Sequence, residues 1–86
     1  MEMRTTMKTK TRPRKLPYDP DGMNDQRAAW AGLAIRTFRW TTGSDLEEAL
    51  ADLLADLMHW SDRSGIPFEA SLELARFHYD AETEEE

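Results

Sequence analysis

A chain of 86 residues allows one domain, and with no cysteine it has neither a disulfide framework nor a thiolate zinc site. No apolar run approaches the ~20 residues that cross a bilayer. The basic start is not followed by an apolar stretch, so no secretory signal is expected and the chain reads as cytoplasmic. The net charge of −6 hides an asymmetry. Residues 1–17 carry six basic groups against Glu2, a net +5, and residues 18–86 carry −11. An acidic body of this kind repels nucleic-acid phosphates and favours basic protein surfaces.

Residues 1–22 have three of the four prolines, many threonines and no sustained period. They read as a disordered basic arm. Nucleic-acid contact through this arm is a minor possibility. The segment "LPYDPDG" can alternatively dock as a short extended piece, because its prolines restrict the backbone to polyproline-like geometry.

The helical domain is expected over residues 23–82, all-α, as three helices, with an acidic tail at 83–86. The first helix should start at Asn24 or Asp25, either of which can cap it, and run to about Thr41. Trp30, Ala34 and Phe38 share one stripe at helical spacing, with Leu33 on its flank, and form the expected inward face. Ala28, Ala31, Gly32 and Ile35 form a second apolar surface. Gly32 inside a helix costs roughly 1 kcal/mol relative to alanine. It makes sense if another backbone approaches there.

"TTGSDLEEAL" is punctuation. Gly43 should end the first helix in a left-handed turn. Ser44 followed by Glu47 has the spacing of a capping box for the second helix. That helix, "ALADLLADLMHW" at its centre, carries Leu46, Leu50, Leu53, Leu57 and Trp60 at spacings of four, three, four and three. This stripe, Leu53 and Leu57 above all, is the expected core. Gly65 should end the helix and Pro67 should open the third. Phe68, Leu72, Ala75 and Tyr79 form the inward stripe there, while Leu74 and Phe77 lie elsewhere and need another neighbour. The surplus surfaces Ala28, Gly32 and Ile35 on the first helix, and Leu74 and Phe77 on the third, point to a homodimer, which also thickens a thin core.

Opposite the leucine stripe of the second helix stand Glu48, Asp52, Asp56 and His59. Carboxylates of this kind can hold Mg²⁺ or Mn²⁺. One straight helix cannot wrap a cation, however. The first helix offers Arg27, Arg36 and Arg39 where further acids would be needed. The face therefore reads as solvated or as a partner-binding surface, with no metal and no cofactor. There is no Ser-His-Asp or Cys-His pattern and no glycine-rich phosphate loop, and no catalytic residue is assigned.

Over residues 48–75, Ala51, Asp52, Leu54, Leu57, Asp62, Gly65, Ile66 and Glu69 fall in step with a pattern that resembles the all-α nucleotide pyrophosphohydrolases of the MazG type. The resemblance implies a helical hairpin and dimer formation. That family holds Mg²⁺ with an E-x-x-E pair on an earlier helix and an E-x-x-D on this one. Here Asp52 matches the last acid, Ala49 stands where the preceding Glu belongs with Glu48 one step off, and the earlier pair is absent. The resemblance thus implies the family's scaffold and argues against its chemistry; a degenerate pyrophosphohydrolase is the alternative. "ALADLLADLMHW" and the closing "HYDAE" also resemble short proteins of bacterial prophages and mobile elements. That likeness assigns no activity; the −11 body without a plausible active site points to a small acidic helical interaction protein that covers a basic surface, one concrete version being an anti-CRISPR-like inhibitor of a bacterial defence complex whose acids imitate nucleic-acid phosphates.

Overall fold

The computed structural model describes residues 15–85, and it is all-α. Three helices follow in order: α1 over Met23–Thr42, α2 over Leu46–Ser64 and α3 over Phe68–Glu82. No strand occurs among the described residues. No helix there is long and apolar enough to cross a membrane. The basic residues upstream of Lys15, where most of the expected arm lies, fall outside the described residues.

Both reversals fall at the predicted glycines. Gly43 has φ 79° and its N–H donates to Arg39 O at 2.7 Å, closing α1. Gly65 has φ 74° and closes α2 by donating to Ser61 O, with Ile66 N–H donating to the same carbonyl at 3.2 Å. A side chain would strain either backbone, so glycine is the fitting residue. Pro67 precedes α3 with φ −70°, and its carbonyl accepts from Ser71 N–H at 3.1 Å.

The helix starts differ from expectation. α1 begins at Met23 and is capped from the segment before it. Asp21 Oδ1 accepts from Met23 N–H and Asp19 Oδ1 from Asn24 N–H, each at 3.1 Å. A carboxylate satisfies free N–H groups at a helix start and suits the positive end of the dipole. The side chain of Asn24 is thereby free for other work. At α2 the capping box does not form. Asp45 is the N-cap residue without a side-chain capping bond, and the Ser44 hydroxyl instead donates to Asp52 Oδ2 at 2.5 Å. A full negative charge two turns away is a stronger acceptor for that hydroxyl than a peptide N–H is a donor to it. Lys15–Gly22, expected within a disordered arm, has defined partners: Leu16 and Pro17 lie beside Ala28 and Thr83, and also beside Tyr79.

The helices are joined end to end rather than stacked side by side. In an up-down-up bundle the end of a 15-residue third helix lies about 22 Å from the start of the first. Here those ends touch: Asn24 Nδ2 donates to Glu82 O at 2.8 Å, and Arg27 Nε lies 3.4 Å from Glu82 Oε2. α2 packs against both neighbours, and the three helices close an open, flat triangle. The molecule measures 42 × 38 × 19 Å. Its radius of gyration is 15.5 Å, where a compact domain of its length has about 11–12 Å.

The consequence is a chain with almost no interior. Among the described residues the buried ones are Ala49 and Ser61, each the fourth residue from its end of α2. Both are small, as close helix contacts near corners require. The leucine stripe predicted as core is not enclosed: Leu46 and Leu50 are each 62% exposed, Leu57 keeps 39% of its surface open and Leu53 is only half-buried. On α1 the expected inward residue Phe38 is half-buried, but so is Ile35 of the second surface, while Trp30, Leu33 and Ala34 of the expected inward side face solvent. The sequence pattern alone could not choose between these faces, because α1 is apolar on two sides.

Candidate functional site

The acidic face of α2 is displayed rather than enclosed. Glu48, Asp52, Asp56 and His59 are all exposed. Asp52 and Asp56 border a shallow depression against the end of α1, shared with Phe38, Thr42, Gly43, Ser44 and Ala55. Asp52 is engaged by the Ser44 hydroxyl. Arg63 turns back along α2 and donates to His59 O at 3.1 Å. Among the described residues, no three His, Cys, Asp or Glu side chains converge as a cation site would require. The one acid of α1, Asp25, stands in its first turn, and the exposed acids of α2 are not joined by it into such a group among the described residues.

The basic groups of α1 are spent near the corners. Arg27 reaches Glu82 and also donates to Asn24 Oδ1 at 2.8 Å. Arg39 Nε donates to Ser44 O at 3.1 Å across the first reversal. Arg36 is exposed at the side of α1.

The residues expected at a dimer interface fall into two groups. Leu74 and Phe77 are open to solvent on α3, Phe77 being 69% exposed. On α1, Ile35 is half-buried within the chain, Ala28 is exposed beside Leu16 and Pro17, and a methyl group placed on Gly32 would meet nothing within 4 Å. No neighbouring backbone of the same chain explains Gly32. The open apolar surface of α1 is carried by Trp30, Leu33 and Trp40, with Trp40 at 90% exposed. The sequence places Trp30 inward and reads Trp40 only as core or interface, without assigning it to a stripe. The spacing Trp30–Leu33–Thr37–Trp40, three then four then three, was the signal that could have marked them as one stripe.

The chain thus presents exposed apolar side chains on all three helices and an exposed acidic face on α2. No protein-family model, curated protein or solved structure matches the chain.

Proposed function

We propose that this chain is a non-enzymatic protein-interaction module that acts in the cytoplasm as a homodimer and covers a basic surface on a protein partner. The observation that carries the reading is the exposure of large apolar side chains along every helix, which small soluble monomers rarely tolerate. A surface of that kind marks a contact with another chain. The acidic face of Glu48, Asp52, Asp56 and His59 remains displayed, and the charge of residues 18–86 selects a basic partner. In its most concrete form the chain is a phage or mobile-element product that inhibits a bacterial defence complex, anti-CRISPR-like, its carboxylates imitating nucleic-acid phosphates.

Two measurements test this. Capture from a bacterial lysate on the immobilised chain should yield a basic protein or complex. Its retention should fall steeply with added salt, because screening shortens to ~8 Å at physiological ionic strength. Incubation with nucleoside triphosphates and millimolar Mg²⁺ or Mn²⁺ should release no pyrophosphate and leave the melting temperature unchanged. Pyrophosphate release would replace the interaction reading with that of a degenerate MazG-like enzyme whose missing ligands come from a second subunit.

A further inference from the structure

We infer that α1 of one copy pairs with α3 of a second copy, antiparallel, through two outward stripes that the single chain leaves uncovered. This rests on the dimer in the function proposed above and names its contact. The first stripe is Trp30, Leu33, Thr37 and Trp40 on α1; the second is Ala70, Leu74, Phe77 and Ala81 on α3. All eight residues are exposed. Both sets follow the alternating three-and-four spacing that keeps a row of side chains facing a partner helix.

Size complementarity selects this pairing. The α1 stripe is bulky at its ends and smaller in the middle. The α3 stripe is small at its ends, Ala70 and Ala81, and bulky in the middle. The stripes span eleven and twelve residues, so their lengths agree. Each tryptophan of α1 then lies over an alanine of α3, and Leu33 and Thr37 meet Phe77 and Leu74. An α1–α1 contact can set tryptophans against each other, and an α3–α3 contact leaves the alanine ends hollow. Interdigitation of large against small is how helices reach interior packing density.

Charge makes the same choice. α1 has three arginines, Arg27, Arg36 and Arg39, against Asp25; α3 has Glu69, Glu73, Asp80 and Glu82 against Arg76. α1 is therefore net positive and α3 net negative, so either self-pairing sets like charges together. Direction follows from helical geometry at 3.6 residues per turn. Arg36 lies to one side of the α1 stripe and Glu73 to one side of the α3 stripe. With the helices antiparallel and Leu33 level with Phe77, these two project from the same edge of the joint, within two residues in height. With the helices parallel they fall on opposite edges.

The area is adequate. A stable interface buries roughly 800 Å² per partner. Aromatic side chains supply 150–250 Å² each when buried. Trp30, Trp40 and Phe77, at 55%, 90% and 69% exposed, therefore contribute on the order of 500 Å², and Leu33 and Leu74 extend it.

The chain has no cysteine, which makes cross-linking clean. Leu33→Cys chains mixed with Phe77→Cys chains under mild oxidation should give a hetero-linked 33–77 product in large excess over 33–33 and 77–77. Arg36→Glu and Glu73→Arg should each weaken association about tenfold, through two symmetric exposed pairs, and the double reversal should restore it. All four substitutions are at exposed positions, so at protein concentrations where the chains associate the fold should survive them, which circular dichroism at those concentrations verifies. Dominant 33–33 or 77–77 products, or no rescue by the double reversal in a chain that still dimerises, overturns the pairing and leaves the dimer standing. Wild-type chain that scatters as a 10 kDa species at hundreds of micromolar overturns both.

Discussion

Gly32 and Gly43 place opposite demands on the same residue type. Gly43 sits at φ 79° with open space around it, so a methyl group there meets no atom but strains the backbone. Gly43→Ala should cost about 1–2 kcal/mol. Gly32 has helical backbone and equally open surroundings. Gly32→Ala should stabilise an isolated chain by about 0.5–1 kcal/mol. Urea unfolding of the two variants measures both signs. A loss of stability for Gly32→Ala, growing with protein concentration, would instead place a second copy's backbone against Gly32. Asp19 is the other informative residue. Asp19→Ala should cost about 1 kcal/mol, as removal of a capping acceptor does, and Asp19→Asn much less, because its amide oxygen still accepts from Asn24 N–H.

Among the elements, α3 depends most on its corner with α1. Asn24 serves that corner twice, donating to Glu82 O and accepting from Arg27, which in turn pairs with the Glu82 carboxylate. The Arg27–Glu82 pair is partly exposed and contributes only ~0–1 kcal/mol. The hydrogen bond to a helix-terminal carbonyl has no obvious replacement besides water. Asn24→Ala should therefore open the last turn of α3, seen as faster amide exchange at Tyr79–Thr83, while the amides of α2 keep their protection. Equal acceleration in all three helices would show that the triangle opens only as a unit. By the same logic, Asp52→Ala should change stability by less than about 1 kcal/mol, since its bond to Ser44 is exposed.

For the whole molecule, three flat-lying helices with two buried residues cannot offset the conformational entropy of some seventy ordered residues by internal burial alone. Stability should therefore be coupled to association. The melting temperature should rise with protein concentration across the micromolar range. Tryptophan emission should shift to the blue over the same range as Trp30 and Trp40 leave water. A melting temperature independent of concentration would show that one chain is stable without a partner, and would make the apolar stripes a docking surface for a different protein.

The helices, their order and both reversals are legible in the amino-acid sequence alone. Those features are local: Gly43 and Gly65 take backbone angles that few other residues accept, and the runs between them are good helix formers. It also showed that α1 and α3 carry more apolar surface than one inward face needs, with Leu74 and Phe77 correctly left over. Which surface turns inward is settled by packing. α1 is apolar on two sides, and helical periodicity cannot rank two faces, so Trp30 and Phe38 both read as inward, whereas Phe38 is half-covered together with Ile35 of the other side and Trp30 is exposed. Only the tertiary structure diverted Ser44 from capping to Asp52, and assigned the caps of α1 to Asp19 and Asp21. The leucine stripe of α2 read as core because a helical spacing says which residues share a face, not what lies opposite. What lies opposite is set by how the helix ends meet: α2 packs on both neighbours and Asn24 reaches Glu82, fifty-eight residues on, so the three helices form an open circuit.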